Sequence, residues 1–425
     1  MRNFAKRLEV SPPILWFSLG FVLRLIFALK LGNGFYQIDE SGFYKAALNL
    51  AHLNIYGSGK MASAGAPIPA FYYSLFFRLF GDHPLYARLG LLIPDMVLVW
   101  IVWKMTEELT RSQIAGKIAL AISSIYPFFI YYGAMMMSET PYLVLIGLGF
   151  WQFCKNLAEE GKNFMRSSIA GTSLALAGLS RPEGALIMLG IWPLAFFFSR
   201  KNSRLLKSLA LSCLCWTAIL FSWSLRNRAQ TGSFALDSHG GINLLYGTML
   251  FNVNEQDTSA AINSIDQIPS LAGIKKLPAS LQDKIYWRTA FDFICEHPKA
   301  VIKQWGQKTI NFWRFYPRQD KFYMEGPRSQ PNVGLKRSGL VLISLLTEPF
   351  LIFLGSWGIF ELLKINRAIY PIFLFILATF FLHMVSVSQM RYRLPVMPFL
   401  ILGFSSFIAR GTSVQRQLTH KPEFD

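Results

Sequence analysis

Apolar residues in this 425-residue chain gather in long runs almost free of charge, separated by short basic loops. A bilayer core about 30 Å thick needs roughly 20 apolar residues per helix, and about ten runs approach that length. They cover about 13–31, 85–103, 115–132, 140–157, 168–181, 183–199, 207–224, 338–363, 368–388 and 394–410. The pattern predicts an all-α polytopic membrane protein. The two runs between about 168 and 199 are short, and Pro182 between them predicts a tight turn at one membrane face.

Two interruptions are too long to be turns. The first, about 32–84, holds an amphipathic stretch from Phe43 to Leu53, a Gly-rich tip near Gly57 to Gly65, and a second stretch from Phe71 to Phe80. Both stretches read as helices lying in the interface. The second, about 225–335, is large enough for an extramembrane subdomain. It has a polar segment from Asn254 to Lys284, expected to be mobile, and an aromatic and Lys-rich stretch from Tyr286 to Tyr316 broken at His297 and Pro298.

Charge sets the orientation. Short loops rich in Lys and Arg stay in the cytoplasm, and the alternate loops here hold about 18 such residues against 3 (Arg181, Arg391, Arg393) on the other side. Both termini are therefore expected inside and both long loops outside. The same loops account for much of the formal net charge of +18, so no nucleic-acid partner is needed to explain it. With 52% hydrophobic and 16% charged residues, a soluble globular domain is excluded. The basic start and apolar run to Leu31 resemble a signal peptide, but no small-residue cleavage site follows, so a retained first helix is expected. Cys154, Cys213, Cys215 and Cys295 have no metal-ligand spacing and imply no disulfide framework.

Candidate chemistry collects on the outward side. Asp39 and Glu40 open the first long loop; a carboxylate there suits a general base toward a hydroxyl, or an N-cap for the helix that follows. Glu139, in Ser138–Tyr142, stands at the outer start of a span, with helix-start chemistry as its other reading. Ser180 to Gly184 places Arg181 and Glu183 between two short spans, where they would hold two helix ends together or line a polar cavity. Arg391 and Arg393 before the last span, and Arg226 and Arg228 leaving the seventh, suit a phosphate clamp or snorkelling toward headgroups. Asp39, Glu139 and His239 could hold a divalent cation, though no diagnostic spacing marks one, and no other cofactor is indicated.

Several blocks occur together in order: Ile38, Asp39, Glu40 to Tyr44 and Ala47; Ala66 to Pro69 and on to Gly81; Ser138 to Tyr142; Ser180 to Gly184; Trp223 to Asn227; Gly240 to Gly247, containing Asn243; Glu296 to Pro298; and Arg391 to Pro395. In this the chain resembles the GT-C glycosyltransferases, in the branch of bacterial dolichyl-phosphate-mannose-protein mannosyltransferase-like enzymes that includes the lipid A aminoarabinose transferase. The resemblance implies a sugar donor carried on a polyprenyl phosphate. It implies inverting transfer at the outer face of the cell (inner) membrane to a lipid-linked glycan, lipid A or a protein hydroxyl. Asp39 would be the base with Glu40 beside it, and Glu139 would align the acceptor or support a metal. Arg181, Arg226, Arg228, His239, Asn243, Arg391 and Arg393 would bind substrate. The implied organisation is a catalytic transmembrane module over 1–224, an outward loop subdomain over 225–335, and C-terminal helices with a short tail over 336–425.

The chain departs from the pattern near Pro67, where an Arg-Pro-Pro run is often seen, and at Thr248 and Met249, where Asn and Pro often stand. With about 15 residues after the last span, a membrane-embedded catalyst without a large C-terminal soluble domain is expected. Two other classes fit less well. A transporter or flippase of a lipid-linked sugar predicts pseudo-symmetric halves and mid-membrane ionisable groups, and a ligase using a pyrophosphate-linked donor would not need the early Asp39–Glu40 pair.

Overall fold

The computed structural model describes residues 11–56, 65–251, 265, 268, 271–316 and 337–419. All of the Gly-rich tip but Gly65, and about half of the polar segment expected to be mobile, from 254 to 264 and at 266–267 and 269–270, therefore lie outside the described residues.

Helices make up the architecture, and their starts are written in proline. Pro13, Pro67, Pro84, Pro127, Pro182 and Pro298 each open a helix, where a missing N–H costs nothing and the fixed φ is already helical. In chain order the helices are α1 Pro13–Leu31, α2 Ile38–Leu53, α3 Pro67–Phe80, α4 Pro84–Thr110, α5 Gln113–Ile125, α6 Pro127–Gly133, α7 Glu139–Ala158, α8 Phe164–Ser180, α9 Pro182–Ser199 and α10 Ser203–Thr231. They continue with α11 Gly240–Gly247, α12 Ala279–Glu296, α13 Pro298–Trp313, α14 Arg337–Ile365, α15 Tyr370–Val385 and α16 Met397–Thr419. A 3-10 stretch, Met390–Val396, leads into α16.

About ten spans were expected; among the described residues seven helices are long and apolar enough to cross a membrane, and eight if α5 and α6 form one. That pair bends by 53° where Pro127 interrupts the backbone ladder. The remaining two are α7 and α8. Thr140, Gln152 and Asn156 interrupt the apolar run of α7, and α8 is only 17 residues long. Both still run the length of the bundle. At one end Glu139 of α7 meets Arg181 at 3.3 Å, just past α8; at the other Lys155 of α7 meets Glu108 of α4 at 2.6 Å. The membrane-spanning, all-helical character read from the hydropathy pattern is therefore what the described residues adopt.

Close approach substitutes for a hydrophobic drive inside lipid. A Cβ on Gly358 of α14 would run into the Gly403 carbonyl of α16, and one on Gly355 into Leu400 O. Three buried ion pairs pin the bundle. Arg24 of α1 meets Asp95 of α4 at 2.7 Å, Arg88 of α4 meets Glu40 of α2 at 2.9 Å, and Arg393 meets Glu348 of α14.

The long loops fold onto one end. α2 and α3 pack Ala47, Tyr73 and Phe77 against Ala87 and Leu91 of α4 and Met136. α11 and α12 form a small core around Leu245, Leu271, Tyr286 and Ala290. The aromatic stretch becomes α12 and α13, broken at His297 as its sequence foretold. The two loops touch where the Gly65 amide donates to His239 Nδ1 at 3.2 Å.

Candidate active site at one end of the bundle

Consecutive helices joined by short turns run antiparallel, so the starts of α2, α7 and α9 and the Met390–Val396 stretch come to the same end. The side chains confirm it. Arg391 Nη1 donates to Asp39 Oδ2 at 3.0 Å, joining positions 352 residues apart. Arg181 Nη1 donates to Glu139 Oε1 at 3.3 Å, and Arg181 Nε lies 2.9 Å from Glu183 Oε1. Tyr392 stands between the two cations, with the Arg391 and Arg181 guanidinium carbons 5.1 and 5.2 Å from its ring centre.

Exposure separates the carboxylates. Asp39 has 47% of its side chain accessible, whereas Glu139 has 2% and Glu40 none. Asp39 does not cap α2; Gln37 occupies the cap position and Glu40 closes the box, accepting from the amides of Tyr36 and Gln37 at 2.6 and 3.0 Å. The other Glu40 oxygen takes the Met136 amide and Arg88. Glu40 is thus sealed behind Asp39. Glu139 Oε2, by contrast, is buried with no hydrogen-bond partner and Arg391 Nε likewise, so this end of the bundle keeps unspent polar capacity.

The remaining expected residues divide. Arg393 points the other way from Arg391: it is buried, donates to Phe312 O and Arg314 O at 2.9 Å each, and pairs with Glu348, which also accepts from Tyr126 at 2.7 Å. Arg226 donates to Tyr56 O and Asn227 Oδ1 and lies over the Trp223 ring. Arg228 and Asn243 are exposed. His239 sits at the junction of the two loops. Burial works to lower its pKa, but the neighbouring Asp237, Asp283 and Asp39 charges outweigh that and raise it.

Among the described residues a metal set is not assembled: no three His, Cys, Asp or Glu side chains gather to hold an ion; Asp39 and Glu139 face arginines, and His239 Nδ1 faces the Gly65 amide.

Sequence reading missed Tyr392 and His383 as members of the cluster. His383 Nε2 lies 3.3 Å from Glu183 Oε2, and its ring stacks on Tyr392 with centres 4.5 Å apart. Its one signal was an ionisable residue inside the apolar run of α15.

An all-helical bundle carrying a carboxylate–arginine cluster at one end is what the described residues form. Residues 64–225 match the family described as dolichyl-phosphate-mannose-protein mannosyltransferase, a segment that holds Glu139 and Arg181. The fold is similar to that of the archaeal oligosaccharyltransferase AglB from Archaeoglobus fulgidus, a structure in complex with an inhibitory peptide and a dolichol-phosphate. That similarity has a TM-score of 0.53 at 14% identity, over 96% of this chain and 52% of that one, so this chain spans about half the length of the archaeal protein. A second similar structure is ArnT from Cupriavidus metallidurans bound to undecaprenyl phosphate, with a TM-score of 0.42 and 12% identity over 97% of this chain and 81% of that one. No curated protein matches.

Proposed function

We propose that the protein is a membrane glycosyltransferase that moves a sugar, with inversion, from a polyprenyl-phosphate donor to a hydroxyl acceptor at the outer membrane face. The observation that carries this reading is the Asp39–Arg391 contact: an accessible carboxylate held by a cation that has a further buried donor to spend. Asp39 takes the acceptor proton as the acceptor oxygen attacks the anomeric carbon, and the bond from that carbon to the phosphate oxygen breaks. Polyprenyl phosphate leaves with the electron pair, its charge met by Arg391 and Arg181, so no proton need be delivered to it. Donor phosphate and Asp39 compete for Arg391, so donor binding also frees the base.

The other candidate residues take supporting roles in this reading. Glu139 orients Arg181 and offers its free oxygen to the acceptor, Glu40 positions the backbone under Asp39, and Arg393 anchors the stretch that carries Arg391. His239, Asn243, Arg226 and Arg228 belong to the loop side, where an acceptor such as a lipid-linked glycan, lipid A or a protein would approach. The family match over 64–225 and the shared helical fold support the reaction class; sugar and acceptor follow from neither.

The test is mass spectrometry of lipid-linked sugars and outer-surface glycans in cells with the wild-type chain, without it, and with Asp39→Asn. Loss of one sugar from a glycan in both deficient strains, with build-up of its polyprenyl-phosphate donor, is the expected result. Glycans that shift in the deletion but not with Asp39→Asn would instead favour movement of a lipid-linked sugar over its transfer.

A further inference from the structure

We infer that the Tyr392 hydroxyl donates a hydrogen bond to the phosphate of the lipid carrier, as a third donor beside Arg391 and Arg181; this rests on the function proposed above and adds a residue to it. What the ring can offer is narrowed by its neighbours. One face of Tyr392 lies on the His383 ring, with centres 4.5 Å apart and planes 9° from parallel. The Arg181 and Arg391 guanidinium carbons stand 5.2 and 5.1 Å from its centre. With the ring so engaged, the edge that carries the hydroxyl is what it has left to give a substrate.

A phenol carries one hydrogen and two acceptor lone pairs. Arg391 Nη2 donates to Tyr392 Oη at 3.2 Å, which occupies one lone pair. The hydrogen takes no part in that contact, and among the described residues nothing accepts it. The same guanidinium sends Nη1 to Asp39 Oδ2 at 3.0 Å, so the hydroxyl and the accessible carboxylate are neighbours along the terminal nitrogens of Arg391. A phosphate that displaces Asp39 from Nη1 therefore meets the Tyr392 hydrogen as well.

Transfer gives that hydrogen its use. When the bond to the anomeric carbon breaks, the electron pair stays on the phosphate, and the carrier passes from a diester with one negative charge to a monoester whose second ionisation falls near pH ~6. A donor aimed at oxygens that gain charge contributes more at the transition state than before it. Because Arg391 donates to the same phenol oxygen, it also polarises the O–H and strengthens it as a donor.

The test is binding of undecaprenyl phosphate, and of undecaprenol as its phosphate-free counterpart, to the full chain in nanodiscs. Wild type, Tyr392→Phe, Arg391→Ala and the double variant are compared; phenylalanine keeps the ring against His383 and removes the hydroxyl. Tyr392→Phe should bind undecaprenyl phosphate roughly tenfold more weakly, the scale of one hydrogen bond to a charged group, with undecaprenol binding unchanged. The same loss should appear when the substitution is added to Arg391→Ala. A hydroxyl that only accepts from Arg391 would, once removed, free Nη2 for the phosphate, so equal or tighter binding by Tyr392→Phe overturns the proposal. A loss that vanishes in the Arg391→Ala background overturns it too, because the hydroxyl then acts through the arginine. An equal loss for undecaprenol does the same. None of these three touches the transferase reading. A wild-type chain that binds both lipids alike overturns the donor reading itself, and the role of Tyr392 falls with it.

Discussion

Glu40 and Arg88 meet 2.9 Å apart with neither side chain accessible to solvent, one residue along the chain from the exposed Asp39. Arg88 goes on to the carbonyls of Gly32, Gly34 and Ala134. The pair therefore ties α2, the approach to it, and the end of α6 into one rigid seat for Asp39. Breaking a buried pair strands a charge, at a cost of about 3–5 kcal/mol. Arg88→Met is expected to melt well below wild type in detergent, and the double variant Glu40→Gln, Arg88→Met to recover part of the loss. A single variant as stable as wild type would remove this seat from the account.

Asp39→Asn keeps the shape of the side chain and removes its basicity. General-base catalysis contributes about 10²–10⁴ in rate, so sugar transfer should fall by at least about a hundredfold with donor binding retained. Residual turnover near wild type, measured with a purified polyprenyl-phosphate sugar, would transfer the base role elsewhere.

Arg391→Ala should raise the donor KM by roughly ten- to a hundredfold, the worth of one charged hydrogen bond. Unchanged donor affinity in the same assay would make Arg391 a partner of Asp39 and nothing more.

Gly133 has no room for a side chain, because a Cβ there would overlap the Asp95 carboxylate that holds Arg24. Gly133→Ala is expected to lower the melting temperature by about 1–2 °C, the shift that about 1–2 kcal/mol produces in a chain of this length. Gly190→Ala, with nothing within 4 Å of the added carbon, is the matched control and should not melt lower.

Lys308 is fully buried, and burial pushes its ammonium down to about 7. The unfolded chain has an ordinary lysine at about 10.4. Between those values the unfolded state binds a proton that the folded state does not, so the Lys308 contribution to stability rises with pH across that window. Below about 7 both states are protonated and the burial penalty is fully felt. The stability advantage of Lys308→Met over wild type should accordingly be largest near neutral pH and shrink toward pH 10, read as melting temperature against pH.

Much of the frame was legible in the chain because bilayers impose a simple code. Apolar run length, proline at helix starts and the charge of loops fix spans and turns with little help from tertiary contacts. The span count was less legible: α7 and α8 bury polar and small residues against neighbours, so their sequences never needed to satisfy lipid along a full crossing. Placing both members of the Asp39–Arg391 pair at the same end of the bundle needed only chain order. Telling Arg391 from Arg393 needed coordinates, since each is an arginine at the same edge and only packing decides which faces the cluster. His383 was hidden for a similar reason. Its meaning comes from Glu183 and Tyr392, which reach it from two other segments.

The Met390–Val396 stretch makes the division of labour between these arginines a matter of phase. Each residue of a 3-10 turn advances about a third of a circle, so Arg391, Tyr392 and Arg393 leave the axis on three different sides. One serves Asp39, one separates the cations, and one locks into Glu348. Chain length here is therefore as constrained as chemistry. Deleting or inserting one residue would leave both arginines in place in composition yet swing each onto its neighbour's bearing, so this short stretch acts as the indexing notch between the last helix and the cluster it serves.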